Sequence, residues 1–301
     1  MVGDVTAGVD GSPESRAAVH WAAREALRRG AALRLVHACD PHPRTALSPR
    51  VGSRKEDEAL ELAALAHGLR AAHPGLSVVE RCPDAAPVPA LLAAADASDL
   101  LVLGSRGLSG LTGFVLGSIA QPVVARSSAP VVLVRAGAGD CVEHFTASDG
   151  VSPDEVPRLP YRDVVLGLDV DRPCDELIAF AFEAARLRGA SLRVIHAFGA
   201  PHLSPSVEHL GRESGPEVLA GHESAVVAAL RPWCEKYPQV PVAVTVVDGR
   251  PAAEVIRGSA DAALLVVGRR RRRSRLGALL GPVAHAVLHH ADTSVAVVPH
   301  D

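Results

Sequence analysis

Short apolar runs alternate with longer segments of helical spacing from the first residues onward. Residues 4–9 read as a strand ending in Gly-Val-Asp-Gly. Ser12 then stands as a helix N-cap with Pro13 in the first turn, and the helix predicted from them stops at Gly30. A strand is predicted over 33–38, a Pro- and Ser-rich loop over 41–53, and a helix over 55–72 with Leu60, Ala63, Leu65 and Leu69 as its apolar spacing. Strand 76–80, helix 88–97, strand 100–103, a glycine-rich loop, a helix from about 113 to 126 and strand 131–134 complete the series. Runs such as LLVL and VVLV are apolar at every position, the pattern of strands buried on both faces of a parallel sheet.

The pattern then repeats. Residues 7–38 (AGVDGSPESRAAVHWAAREALRRGAALRLVHA) align with residues 166–197 (LGLDVDRPCDELIAFAFEAARLRGASLRVIHA), matching Gly8, Asp10, Gly30 and His37 to Gly167, Asp169, Gly189 and His196 at an offset of 159. Further on, Gly104 matches Gly268 and Gly117 matches Gly281 at an offset of 164, one loop-length change later. The chain therefore reads as a duplication: a first domain over 1–136, a linker over 137–160 rich in Gly, Pro and acids, and a second domain over 161–301. The fold class expected is α/β, two tandem open doubly wound domains of Rossmann-like type, each with a mainly parallel five-stranded sheet. An intrachain pseudo-dimer of the two halves through their fifth strands is expected, and a homodimer is plausible as well.

Composition narrows the function classes. Of 301 residues, 48% are apolar and only 3% aromatic, so the cores must be built from Ala, Val and Leu. A formal net charge of −3 leaves no global field to recruit nucleic acid or an anionic membrane. The five cysteines are scattered with no C-x-x-C pair, which disfavours a metal knuckle or redox motif and suits a reducing cytoplasm. The start MVGDVTAGVDGS lacks a basic region followed by an apolar run, and no apolar run is long enough to span a bilayer. His285 and His289 share a helix face, but no third metal ligand is evident, so no metal site is expected.

The strongest local signal follows the fourth strand: Gly104, Ser105, Arg106, Gly107 and Gly110, then Gly117-Ser118. Glycines let backbone N–H groups converge without a Cβ in the way, a helix start adds donors for phosphate, and Ser105 and Ser118 add hydroxyls. In an open α/β sheet this loop and Asp10, at the end of the first strand, share the crevice where ligands bind. The alternatives are that the glycines merely make a tight βα turn and that Asp10 merely forms the turn before Gly11. No Walker-type loop, dinucleotide fingerprint or nucleophile elbow is present.

The spacing Gly104-x2-Gly107-x9-Gly117-Ser118 resembles the G-x2-G-x9-G-[S/T] signature of ATP-binding universal stress proteins, and GVDGSPES, LVHA and PVVLVR look like the same family. The resemblance covers both halves and implies an adenine nucleotide alpha hydrolase-like fold in a regulatory ATP binder of the stress response without efficient catalysis. A slow ATPase or adenylate-transferring enzyme, and a nucleotide-free protein-interaction module, are the alternatives. It implies that Asp10, with the Gly8 and Val9 backbone, meets the adenine or ribose edge, that Ala38 meets the adenine and that Leu103 approaches the ribose. Gly104, Ser105, Gly107, Gly117, Ser118 and Ile119 would line phosphates and ribose, with Arg106 and Gly110 counted in the same loop. The ligand implied is ATP, with or without Mg2+. His37 is expected to cap or pack a strand.

The second half departs from this pattern. Gly268-Arg269-Arg270-Arg271 stands where Gly-x-x-Gly is expected, and Gly281-Pro282 where Gly-Ser is. Pro282 removes an N–H and a hydroxyl, and Arg271 puts a long cation where glycine belongs. Gly167 and Asp169 remain. A weak second site over Gly167, Asp169, Gly268, Arg269, Arg271 and Gly281 is expected at most, the alternative for Arg269–Arg273 being a solvated basic loop or an interface.

Overall fold

The computed structural model describes residues 3–39, 51–107, 114–115, 117–135, 143–144, 160–199, 215–271 and 280–301. Gly110, Arg272, Arg273 and most of the segment 137–160 lie outside the described residues. The chain divides into two units, one holding the elements up to Arg135 and the other those from Val164 to His300.

The first unit runs β1 (Val5–Gly8), α1 (Pro13–Arg29), β2 (Leu33–Val36), α2 (Val51–Ala72), β3 (Val78–Arg81), α3 (Pro87–Asp96), β4 (Leu100–Gly107), β5 (Phe114–Val115), α4 (Ala120–Arg126) and β6 (Val131–Arg135). Its parallel strands lie in the order β3-β2-β1-β4-β6, with the two-residue β5 folded back antiparallel on the end of β4. The second unit runs β7 (Val164–Gly167), α5 (Asp175–Arg188), β8 (Leu192–Phe198), α6 (Pro216–Lys236), β9 (Val242–Asp248), α7 (Pro251–Gly258), β10 (Leu264–Arg270), α8 (Pro282–His290) and β11 (Val295–His300). Its parallel order, β9-β8-β7-β10-β11, is the same winding. Both units have the expected doubly wound α/β fold.

Helix α1 shows why the sequence was legible here. Ser12, in extended backbone, accepts a hydrogen bond from the Ser15 N–H, Pro13 opens the first turn, and Gly30 closes the helix at φ 61°. Its buried face is largely alanine (Ala18, Ala22, Ala23, Ala26) with Val19 and Trp21, so the helix axis lies close to the sheet. Glu25 is buried beside it but is gripped by Arg28 and Arg29 at 3.1 and 2.7 Å. The strands beneath are apolar on both faces: Leu100, Leu101, Leu133 and Val132 have no exposed surface. No described helix is long and apolar enough to cross a membrane.

Three details differ from the sequence reading. Helix α2 begins at Val51, inside the segment expected to be loop. It buries Leu62, Ala66 and Leu69, while Leu60 is 70% exposed. At 3.6 residues per turn Leu60 lies across the helix from Leu62. The helix expected from about residue 113 starts only at Ala120, and 114–115 pair with 106–107 instead. Glycines at 110, 113 and 117 disfavour helix over this stretch, and the end of β4 offers a ladder to the chain that returns past it.

Gly30 and Gly189 end α1 and α5 at φ 61° and 60°, where a Cβ costs about 1 kcal/mol or more. Gly30→Ala and Gly189→Ala should each lower stability by about that amount, read as a lower urea midpoint; an unchanged midpoint would contradict the left-handed caps.

Candidate functional site

In the first unit the chain reverses its winding direction between β1 and β4, which opens a crevice at the carboxyl ends of these strands. The cleft there measures about 810 Å³ counting its open mouth. The β1 end supplies Gly8, Val9 and Asp10, and the β2 end supplies Val36, His37 and Ala38. Pro87 and Leu91 of α3 form an apolar wall; Leu103 and Gly104 form the β4 side. The first turns of two helices close the cleft: Ser12, Glu14 and Ser15 of α1, and the Gly117-Ser118-Ile119 turn leading into Ala120 of α4.

Each of these residues is positioned by local chemistry. The Asp10 carboxylate accepts from the Ser12 N–H at 3.0 Å and from the Ser12 hydroxyl at 2.5 Å, so it shapes the turn before Gly11 as well as lining the cleft. Ser15 donates its hydroxyl to the Ser12 carbonyl at 3.0 Å. The His37 ring meets the Val9 carbonyl through Nδ1 at 2.8 Å and ties the β2 end to the β1 end. Gly104 is a packing requirement: a Cβ there would stand 2.5 Å from the Glu14 carbonyl group and 2.7 Å from the Ser15 nitrogen. At Gly117 a Cβ would meet nothing within 4 Å among the described residues. Among them no packing contact calls for glycine at 117; what its bareness leaves open is the cleft.

The structure thus gathers Gly8, Val9, Asp10, Ala38, Leu103, Gly104, Gly117, Ser118 and Ile119 around one cavity. Ser105 is not in that wall. Its buried hydroxyl donates to the Val134 carbonyl at 3.1 Å, so it joins β4 to β6 instead of offering a donor to a ligand. Arg106 and Gly107 lie at the end of β4, in the ladder with β5. Gly110 lies outside the described residues. Val36, Glu14 and Ser15 stand inside the segments LVHA and GVDGSPES but were not singled out as site residues, and Pro87 and Leu91 belong to no motif; the strand order and the helix after β3 put them in the wall.

In the second unit Gly167 packs beneath Val255, whose methyl carbon a Cβ would meet at 3.2 Å. Gly268 is crowded by His300 and Leu177, at 2.7 and 3.1 Å from a Cβ. Asp169 accepts from the Asp171 N–H at 3.2 Å and is exposed. Arg269 is buried in β10, and Gly281 is the N-cap of α8 with Pro282 next; Arg271 is exposed and groups with the first unit instead. Cys174, before α5, is no nucleophile: burial first, then its hydrogen bond to Glu176, pushes its thiol up to about 11.

The His285 and His289 rings lie 4.5 Å apart on α8, tilted by 57°, and no third metal donor joins them among the described residues. A different set does gather. His37, Cys39 and Glu58 bring one ligand atom each within 4.8 Å of one another. The only trace in the sequence is the His-x-Cys spacing at the end of β2, because Glu58 comes from a helix a loop away.

A model of the universal stress protein family matches residues 1–135 and again 160–299. A universal stress protein of Mycobacterium tuberculosis is 33% identical over 306 residues, covering 97% of this chain and 96% of its own. One from Mycolicibacterium smegmatis is 32% identical over 307 residues, covering 98% and 96%. The crystal structure of a universal stress protein from Archaeoglobus fulgidus superposes with a TM-score of 0.71 over 99% of this chain and 98% of its own, at 19% identity, a likeness of fold.

The glycine geometry separates packing from site. Gly104→Ala should cost about 1–3 kcal/mol, the range for an overpacked core, whereas Gly117→Ala should stay within about 0.5 kcal/mol of the parent. Equal urea midpoints for the two variants would sink this assignment.

Proposed function

The chain belongs to the universal stress protein family, and we propose that its first unit binds ATP in the cleft between β1 and β4, as a regulatory binder and not a catalyst of turnover. The observation that carries this reading is the convergence of the phosphate-loop residues Gly104, Gly117 and Ser118 with Gly8, Val9, Asp10 and Ala38 around one cavity. Val36, Ala38, Pro87 and Leu91 offer an apolar slot for a flat base. Asp10 and Leu103 lie where a ribose would follow, and the Gly117-Ser118-Ile119 turn supplies backbone N–H groups and a hydroxyl for phosphate.

Charge sharpens the ligand. Asp10 and Glu14 line the cleft, and no Lys or Arg does so among the described lining residues. A bare triphosphate would meet carboxylates with no cation to offset them, so the nucleotide is expected as its Mg2+ complex. Among the described lining residues no cationic side chain stands ready to stabilise charge on a transferring phosphoryl group, which supports binding over hydrolysis. In the second unit Pro282 removes an N–H and hydroxyl from the equivalent turn; we assign it weak binding or none.

Purified protein should release adenine nucleotide on heat denaturation, and calorimetric titration with Mg-ATP should show about one site per chain. Gly117→Val, which projects into the cleft without a packing clash, should weaken binding at least about tenfold, the 1.4 kcal/mol equivalent, while Gly281→Val leaves it unchanged. Absence of any bound nucleotide and of any binding heat would defeat the reading, as would two equal sites. Steady ADP formation in a timed product assay would overturn the non-catalytic part.

A further inference from the structure

The parallel ladder of β2 and β3 continues past both strands. The His37 N–H donates to the Arg81 carbonyl at 3.0 Å, and the Cys39 N–H to the Pro83 carbonyl at 3.1 Å. His37 and Cys39, two residues apart on this extended backbone, therefore share a face. Helix α2 lays Glu58 over that face, and the three ligand atoms fall within 4.8 Å of one another. In the β2–β3 register Val36 stands opposite Arg81, so the next pair sets Cys82, just beyond β3, opposite His37 on the same face.

The histidine tautomer is set by its surroundings. A backbone carbonyl only accepts, so Nδ1 carries the hydrogen in its 2.8 Å contact with Val9. Nε2 then turns a lone pair toward the Glu58 carboxylate, 3.3 Å away. Two acceptors at that separation need a positive charge between them, a proton or a metal ion. A ring whose other nitrogen donates to a backbone carbonyl is also the usual support of a metal-ligating histidine.

The duplicated unit separates scaffold from site. His196 makes the same contact, Nδ1 to the Leu168 carbonyl at 3.0 Å. Its Nε2, however, meets Nδ1 of His222 at 3.0 Å, and Phe198 stands where the first unit has Cys39, stacked on His222 at 4.0 Å. Both histidines tie neighbouring strand ends. Among the described residues, only the first unit sets a thiol and a carboxylate around its histidine.

We propose that His37, Cys39, Glu58 and Cys82 form a binding site for a zinc-like divalent transition-metal ion at the carboxyl ends of β2 and β3. Two thiolates, an imidazole nitrogen and a carboxylate oxygen are a tetrahedral zinc donor set. Metal–ligand lengths of about 2.0–2.3 Å place such donors about 3.3–3.8 Å apart, so the His37, Cys39 and Glu58 atoms, now within 4.8 Å of one another, need to draw in by up to about 1.5 Å. Glu58 moves on a long side chain, and Cys82 is exposed, which leaves an entry path. Binding displaces the two thiol protons to solvent. The inference does not rest on the nucleotide reading, although His37 also lines the cleft.

The full chain, stripped with chelator and kept under a phosphine reductant without nucleotide, is titrated with Co2+. The expected result is one ion per chain, showing a near-ultraviolet thiolate charge-transfer band and tetrahedral visible bands, both bleached by Zn2+. Cys39→Ser and Glu58→Gln should each weaken Co2+ at least about tenfold, no less than a supporting group contributes; the second variant changes a half-exposed helix residue and keeps the fold. No thiolate band, or a band unaltered in both variants, means that His37 and Glu58 form only a protonated ion pair and overturns the site. A Cys39–Cys82 disulfide without metal, in protein purified without reductant, overturns it as well.

Discussion

The approach of helix α1 to strand β4 at Gly104 is the contact on which the first unit's cleft depends. A Cβ at that position would stand 2.5 Å from the carbonyl group of Glu14, so the first turn of α1 can rest against the strand only because residue 104 has no side chain. The helix meets the sheet there through alanines, which keeps its axis low along its whole length. That low seat brings Ser12, Glu14 and Ser15 into the same wall as Leu103 and sets the helix start opposite the Gly117 turn. Gly104 therefore belongs to the family motif for a packing reason before it belongs to it for a ligand reason. Gly117 is the reverse case, with open space among the described residues where its side chain would be.

The second unit repeats the packing and changes the chemistry. Gly268 is again crowded, now by His300 and Leu177. The histidine at the second strand end again bonds the carbonyl at the first, at 2.8 Å in one unit and 3.0 Å in the other. What differs lies at the carboxyl ends of the strands: Pro282 for Ser118, Phe198 for Cys39, a histidine facing His196 where Glu58 faces His37. Backbone approach and strand-end hydrogen bonds tolerate little substitution, whereas residues facing a cleft or solvent are released once a ligand no longer constrains them.

Much of the fold was legible because its signals are local. Ser12-Pro13 and Gly30 bound α1 through hydrogen bonds and a left-handed φ that involve only near neighbours. Continuous apolar runs marked the buried parallel strands, and the fixed-offset glycines marked the duplication. Where two local tendencies competed, the reading slipped. Leu60 counted as core because it is apolar, but the stripe that the sheet covers runs through Leu62, Ala66 and Leu69. Residues 114–115 looked helical from their followers, yet the end of β4 was available to pair with them.

For the candidate site, the sequence by itself determined the glycine spacing, the acid after β1, the tandem halves and the loss of donors in the second turn. Each of these is a matter of residue type at fixed separation. Only the tertiary structure decided that Ser105 bonds the Val134 carbonyl while Gly104 lets the first turn of α1 rest on β4, because each depends on the elements that β4 is given as neighbours. Only it brought Pro87 and Leu91 over the end of β1, and Glu58 to His37 and Cys39. Those residues come from separate strands and helices, and no periodicity along one segment encodes a meeting that depends on how the sheet orders its strands.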